Sequence, residues 1–320
     1  MKVQRVVSVG PGPAARLQLS ALRVVAALLR PFGSKGFSPW ASFVAKAFSA
    51  RNHAKLELSG GLRLKVNLND PYWLSPLLTG RPYEPEMAKI LDRVLDDECA
   101  FVDCGANIGY WSAIAARRIG RTDRVIAIEA AFDSYERLRE NASVNGDGFR
   151  PIHAAVWNAS GQELSVATDP IRHSWASVDP DLVPRLREAG FKQELVESIT
   201  VDDSVERFLD DRSGRLILKV DVEGAELQVL EGAVETLRGD TLLAYEDHGN
   251  DPECRVTEAV MALGLVVFAH EEPTGVTRFT DIVDVKALKK DSGRGYNFFA
   301  CREGTRTFDL MDEMADVYQG

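Results

Sequence analysis

The stretch Phe101-Val102-Asp103-Cys104-Gly105-Ala106-Asn107-Ile108-Gly109 constrains the fold more than any other part of this chain. A short apolar run ends on an acid, passes two glycines four apart, and enters a longer amphipathic segment. That order predicts a buried strand, a tight turn and a helix start. Such a junction brings backbone N–H groups and the positive end of a helix against a ligand. The next apolar run, Val125–Ile128, ends on Glu129, an acid placed to bind a ribose. The two signals together point to a cofactor that contains a nucleoside.

Strand-like and helix-like segments alternate from there. Strands are expected at 101–103, 125–128, 151–156, 216–220, 241–245, 265–269 and 297–301, with helices opening near 109, 134, 225 and 253. Asp133-x-x-Glu136 has the form of a capping box, and Glu272-Pro273-Thr274-Gly275 that of a turn between the last two strands. Residues 158–198 read as a less regular insert. Repeated βα units predict an α/β, doubly wound, mostly parallel sheet with its ligand at the C-terminal edge of the strands.

The 320 residues suit one large or two small domains. Charge divides them unevenly. Residues 1–65 hold 11 of the 38 Lys/Arg and one of the 48 Asp/Glu, a net +10, which leaves −20 on the remainder. An acidic body argues against a nucleic-acid partner, because phosphate contacts need a basic face. A basic arm suits a membrane surface. Within the arm, Ala14–Arg30 reads as an amphipathic helix, with Arg16, Arg23 and Arg30 in one stripe and Leu17, Val24 and Leu28 opposite. Its apolar run is far short of the roughly 18–20 residues that span a bilayer. Peripheral membrane contact through residues 14–30, or packing on the domain or on a second subunit, are the two readings. The Pro- and Gly-punctuated first forty residues are expected to be loosely organised, and Leu56–Leu58 with Leu62–Leu68 to form a hairpin around Gly60-Gly61. The expected organisation is a basic extension (1–70), a catalytic domain (71–303) and a tail (304–320). Four cysteines without metal or disulfide spacing suit reduced thiols in a cytoplasmic protein. The oligomeric state has no sequence signature.

Three constellations carry chemistry. In the first, a dinucleotide site would want GxGxxG, but Asn107 stands at its second glycine. Its side chain blocks close pyrophosphate approach and can hydrogen-bond polar ligand groups. Asp103 at the strand tip suits a cationic group. A cationic amino-acid end plus a ribose describes S-adenosylmethionine; a nicotinamide-dependent oxidoreductase is the rival enzyme reading. The second constellation, Lys219-Val220-Asp221-Val222-Glu223-Gly224-Ala225-Glu226, ends a strand on Asp221, and Gly224 permits a sharp turn into a helix. Glu223 and Glu226 sit at the helix N-terminus, where the macrodipole stabilises them by roughly 0.3–1 kcal/mol. For Glu226 that role suffices, whereas Asp221 stands where carboxylates are usually liganded or catalytic.

The third, Tyr245-Glu246-Asp247-His248-Gly249, places Glu246 and His248 on one face of the following strand. His248 then serves as general base, with Asp221 or Glu246 next in line, or is a hydrogen-bonded loop histidine. Asp221, Glu246 and His248 could also bind a divalent metal, although none is expected. The insert's Arg172-His173-Ser174-Trp175 fits a polar acceptor or a packed surface Trp.

Phe101–Gly109 with Trp111-Ser112, then Leu218–Glu226 with Val229-Leu230-Glu231-Gly232, resemble the FkbM-type S-adenosylmethionine-dependent methyltransferases. Gly80-x-x-Tyr83-Glu84-Pro85-Glu86 and Ser198-Ile199-Thr200-Val201-Asp202-Asp203 resemble the same family, so that the likeness spans about 77–303. The resemblance implies a class I methyltransferase (Rossmann-like) fold and methyl transfer to an oxygen of a glycan, glycolipid or natural-product acceptor. It implies that Asp103, Gly105, Asn107 and Gly109 line the methionine part of the cofactor. Glu129 would hold the ribose, and Asp221 and Glu223 would stand by the methyl and acceptor. The non-enzyme rival is a cofactor-binding scaffold on a membrane-associated assembly, with the arm as its working part.

Overall fold

A computed structural model describes residues 3–9, 12–30, 36–48, 52–58, 60–80, 83–169, 176–178, 182–211, 214–271 and 275–317. Arg172–Trp175 and the turn residues 272–274 lie outside them.

The amino-terminal third runs β1 (Val3–Val9), α1 (Pro13–Leu29), α2 (Phe37–Ala45), β2 (His53–Leu58), β3 (Arg63–Asn67), α3 (Pro71–Thr79) and α4 (Pro85–Val94). The central part follows as β4 (Ala100–Cys104), α5 (Tyr110–Ile119), β5 (Val125–Glu129), α6 (Phe132–Val144), β6 (Arg150–His153) and β7 (Ala155–Val156). The insert contributes β8 (Glu163–Thr168), β9 (Ala176–Ser177), α7 (Val183–Glu188) and β10 (Lys192–Ile199). Then come α8 (Val201–Phe208), β11 (Leu216–Val220), α9 (Glu226–Glu231), α10 (Val234–Arg238), β12 (Thr241–His248), α11 (Arg255–Ala262) and β13 (Val266–Glu271). The chain closes with β14 (Gly275–Phe279), α12 (Ile282–Leu288), β15 (Gly295–Cys301), α13 (Arg306–Asp312) and β16 (Ala315–Val317).

A nine-stranded sheet, in the order β16-β14-β13-β15-β12-β11-β4-β5-β6, forms the mixed α/β core. Every residue of β4 and β5 is buried, as expected of strands covered on both faces. Alternate residues feed two cores: Phe101, Ala127 and Ile217 face one side, whereas Val102, Ile126 and Leu218 face the other. The strands from β6 to β12 are parallel. The other half departs from the expected pattern, because β15 runs antiparallel between β12 and β13. In place of a simple turn, β14 and α12 separate β13 from β15. The chain moves outward from β4 to β6, crosses back through the insert, and re-enters beside β4 as β11. The sheet therefore reverses direction between β4 and β11, and a crevice opens at their C-terminal ends.

The insert is more ordered than its sequence suggests. Its strands join β7 in a second sheet, β7-β10-β8-β9. A small apolar cluster that includes Trp157, Val166 and Val196 sits beneath it. The capping box does not form: α6 starts at Phe132, and Ala131 and Phe132 donate their N–H groups to Glu129 and Glu194 instead.

The first forty residues hold a strand and two helices, and β1, β2 and β3 form a three-stranded antiparallel sheet. α1 packs through Ala15, Leu19, Leu22 and Ala26, with Gln18 Nε2 donating to Leu68 O at 3.0 Å. Leu17, Val24 and Leu28, the apolar stripe of the sequence reading, remain exposed and do not pack on the domain. The hairpin docks on α6 through Asn141. Its Oδ1 accepts from Lys65 N at 2.7 Å, and its Nδ2 donates to Ile108 O at 2.8 Å. No helix among the described residues is long and apolar enough to cross a membrane.

Candidate active site

The β4–α5 turn is built on three positive-φ residues, Gly105 (76°), Asn107 (52°) and Gly109 (82°). At Gly105, a Cβ would overlap the backbone oxygen of Asp221, so glycine is what lets β4 and β11 close together at their tips. At Gly109, a Cβ would strike Leu138 and Phe149. Gly109 therefore serves the packing of α6 and is absent from the cavity wall, contrary to its expected place beside the cofactor. Asn107 N donates to Glu129 Oε2 at 2.8 Å, and Asn107 Oδ1 accepts from Trp73 Nε1 at 3.0 Å.

These elements border a cleft at the reversal point. Gly105, Asn107, Glu129, Asp221 and Glu223 line it. Asp103 does not. It is 1% exposed, Ser112 Oγ donates to its Oδ2 at 2.6 Å, and Lys219 Nζ stands 3.4 Å from its Oδ1. Lys219 itself lines the cleft and also lies 3.3 Å from Asp221 Oδ2. Burial works against its charge, but Asp221 and Asp103 outweigh that and hold its pKa above the ordinary lysine value. The carboxylate expected to meet a cationic ligand thus meets a cation of the chain, one strand away in register.

Glu129 is buried at the tip of β5, with its two oxygens accepting from Asn107 N and Ala131 N. Burial pushes its carboxyl up to about 7, against the pull of those two bonds. Each oxygen retains acceptor capacity toward the cleft.

Residues 72–111 supply an aromatic wall that the sequence reading did not assemble. Trp73 and Tyr83 lie 4.8 Å apart, Tyr83 and Tyr110 5.1 Å, and Tyr110 and Trp111 5.1 Å between ring centroids. Trp111 Nε1 donates to Glu84 Oε2 at 2.6 Å. Glu84 sits at φ 40°, and Glu223 at 54°. Strained non-glycine backbone at two acids beside one site is a cost that surrounding structure must enforce.

Tyr72 and Tyr83 also line a second cavity, with Ser38, Glu84, Glu246, Arg294 and Asn297 among its other walls. Glu246 lies within electrostatic range of Asp221. Burial first, and then the charges of Asp221 and Glu223, hold the Glu246 carboxyl well above the usual range. Burial and Asp221 likewise raise Glu84. Gly295 makes room for Glu246, because a Cβ there would occupy the carboxylate's place.

His248 is set apart. Its Nδ1 lies 3.7 Å from Glu246 Oε1, as the shared strand face predicts, but the ring borders a different pocket, with Glu223, Gly224 and Glu226. Glu226 accepts from Val222 N and Gly224 N, the helix-start role expected of it. Asp247, between Glu246 and His248, is fully buried and bound by Lys289 Nζ at 2.6 Å. Among the described residues, no group of three or more His, Cys, Asp or Glu side chains is arranged to hold a metal ion.

The cleft can therefore take a ligand with a diol for Glu129, an apolar ring among Ile128, Val156, Val166 and Val178, and positive charge facing Asp221 and Glu223. Three acids against one lysine, itself neutralised, oppose a pyrophosphate and suit a sulfonium or ammonium. By that test the residues present fit S-adenosylmethionine.

Residues 103–262 match a family model described as the methyltransferase FkbM domain. The hexuronic acid methyltransferase AglP of Haloferax volcanii is 26% identical over 214 residues, which cover 65% of this chain and 80% of that protein. A ribosomal RNA large subunit methyltransferase E from Bradyrhizobium diazoefficiens is 40% identical over 84 residues, 23% of this chain and 36% of its own. Among solved structures, a methyltransferase FkbM from Methylobacillus flagellatus aligns with 90% of this chain at 16% identity and a TM-score of 0.43. The match spans 60% of that longer chain.

Proposed function

The chain belongs to the FkbM methyltransferase family, and from that premise we propose that it transfers a methyl group from S-adenosylmethionine to a hydroxyl of a glycan, glycolipid or related small-molecule acceptor. The observation that carries the proposal is the acid-lined cleft at the β4–β11 reversal, with Glu129 at the neighbouring strand tip. The strand order supports the class I methyltransferase reading of the fold. The similarity to a hexuronic acid methyltransferase supports a sugar acceptor.

When bound, S-adenosylmethionine supplies an activated methyl on a sulfonium. Glu129, Asn107, Asp221 and Glu223 are the residues that would hold it. The chain's own work is alignment and proton handling. Tyr72 and Tyr83 stand between the two cavities, so an acceptor in the second cavity can present a hydroxyl to the first. Holding two reactants in line can lower a barrier by roughly 7–11 kcal/mol. A hydroxyl is a weak nucleophile, and a base adds about 10²–10⁴-fold. Glu84, Asp221 and Glu246 feel one another's charge at the junction, and burial with the charge of Asp221 favours the neutral carboxyl at Glu246. We assign the acceptor's proton to this carboxylate cluster, with Asp221 nearest the cleft. His248 is then a positioning residue for Glu246.

Labelled methyl transfer into candidate glycans and lipid extracts tests the activity. Calorimetric titration with S-adenosylmethionine and NAD tests the cofactor. Binding of NAD but not of S-adenosylmethionine would sink the proposal. Cofactor binding with no transfer into any acceptor would favour a scaffold.

A further inference from the structure

We propose that the outer face of helices α1 and α2 is a seat for an anionic lipid bilayer. Nine large apolar side chains are exposed among the described residues, and five of them stand on these two helices. They are Leu17 (64%), Val24 (57%), Leu28 (68%), Trp40 (56%) and Phe43 (68%). Leu17, Val24 and Leu28 fall on one stripe of α1, and Trp40 and Phe43 meet edge to face at 6.1 Å on α2. α1 already uses a different stripe, through Ala15, Leu19, Leu22 and Ala26, to pack on the domain. Folding therefore does not account for the outer stripe.

Charge selects the occupant. Arg16, Arg23 and Arg30 are exposed on α1 and Lys46 follows α2. No acid occurs before Glu57. In a two-fold dimer through this face, like charges would meet like. An anionic bilayer satisfies both parts of the surface: leucines and valine enter the acyl boundary, aromatic rings sit at headgroup level, and arginines reach lipid phosphates. Ser38 of α2 lines the second cavity, so the helix that carries Trp40 and Phe43 on one face gives a wall to that cavity on another. The seat itself is independent of the methyl-transfer reading.

The test mixes the full chain with phosphatidylcholine vesicles, with or without phosphatidylglycerol, and follows co-sedimentation and tryptophan fluorescence. Binding is expected only where phosphatidylglycerol is present. It should weaken with salt and bring a blue shift that Trp40→Phe abolishes. Leu28→Glu and Phe43→Glu should each lower partitioning roughly tenfold or more. Circular dichroism and melting should stay as in the parent. Equal binding to both vesicle types, no binding, or unchanged binding by the variants would overturn the proposal. A dimer by light scattering that the same substitutions dissociate would also overturn it and assign the face to a second copy.

Discussion

Lys219→Met removes the one cation between Asp103 and Asp221. At 3.4 and 3.3 Å, each pair interacts by roughly 4–5 kcal/mol at an effective dielectric near 20. Desolvation offsets much of that in the parent, but not once a single partner is deleted. Asp103 is 1% exposed and would be left as an uncompensated charge, which costs about 3–5 kcal/mol. That is a large share of the roughly 5–15 kcal/mol that holds a domain together. A buried carboxylate left without its cation is a cost that acid removes, so the deficit should be widest near neutrality and narrow toward low pH. Urea unfolding followed by circular dichroism across a pH series measures it. A second change, Asp103→Asn in the same chain, should recover most of the loss. A deficit under about 1 kcal/mol that is flat with pH, or no recovery in the double variant, would refute the claim that Lys219 holds the strand tips together.

Other outcomes follow from the same geometry. Glu129 has its carboxyl raised to about 7, so affinity for S-adenosylmethionine should increase as pH rises through that value, and Glu129→Gln should flatten the calorimetric pH profile. By the same shift, Glu129 contributes instability as pH rises from about 4.3 toward 7. His248→Ala should retain most turnover while Asp221→Asn loses about 10²-fold or more; the reverse ranking in a labelled-methyl assay would restore His248 as base. Gly295→Ala should displace Glu246, lowering kcat and leaving the cofactor Kd unchanged. Gly105→Ala combines a φ of 76° with overlap at Asp221 O, and should lower Tm and cofactor affinity together.

Backbone periodicity made the sheet centre readable. The runs 101–102 and 125–128 are apolar and lead onto Asp103 and Glu129, and 216–220, broken only by Lys219, leads onto Asp221; a doubly covered parallel strand suits them. The antiparallel β15 was not readable in the same way, because strand direction depends on the chain's route and leaves no local mark. β14 and α12 were passed over for a single turn. Glu129, Asp221 and Glu223 stand at or just past strand ends, which a sequence marks where an apolar run breaks on an acid. Asp103 was misplaced because its neutralising partner lies on another strand. A lysine within Leu216–Val220 was the available hint, since a lone charge in a buried strand demands a counter-ion. Glu84 and the aromatic wall come from three separate segments, α3, residues 83–84 and α5, and no spacing rule joins Tyr72 to Trp111. In α1, the stripe opposite the arginines was legible as apolar, but which apolar stripe meets the core was decided by α2 and β2.

Asn141 gives the amino-terminal sheet a bearing on catalysis. One carboxamide takes the N–H of Lys65 and gives its own hydrogens to Lys65 O and to Ile108 O, inside the glycine turn. The arm and the donor loop thus share a single rivet. A chain shortened to its family-matching part, residues 103–262, would keep Gly105, Asn107, Glu129, Asp221 and Glu223 but lose Tyr72, Trp73 and Tyr83 from the cleft, together with Lys65, which fixes Asn141 on the turn's far side. Conversely, a force on the arm has a direct mechanical line to the β4–α5 turn that borders the cleft.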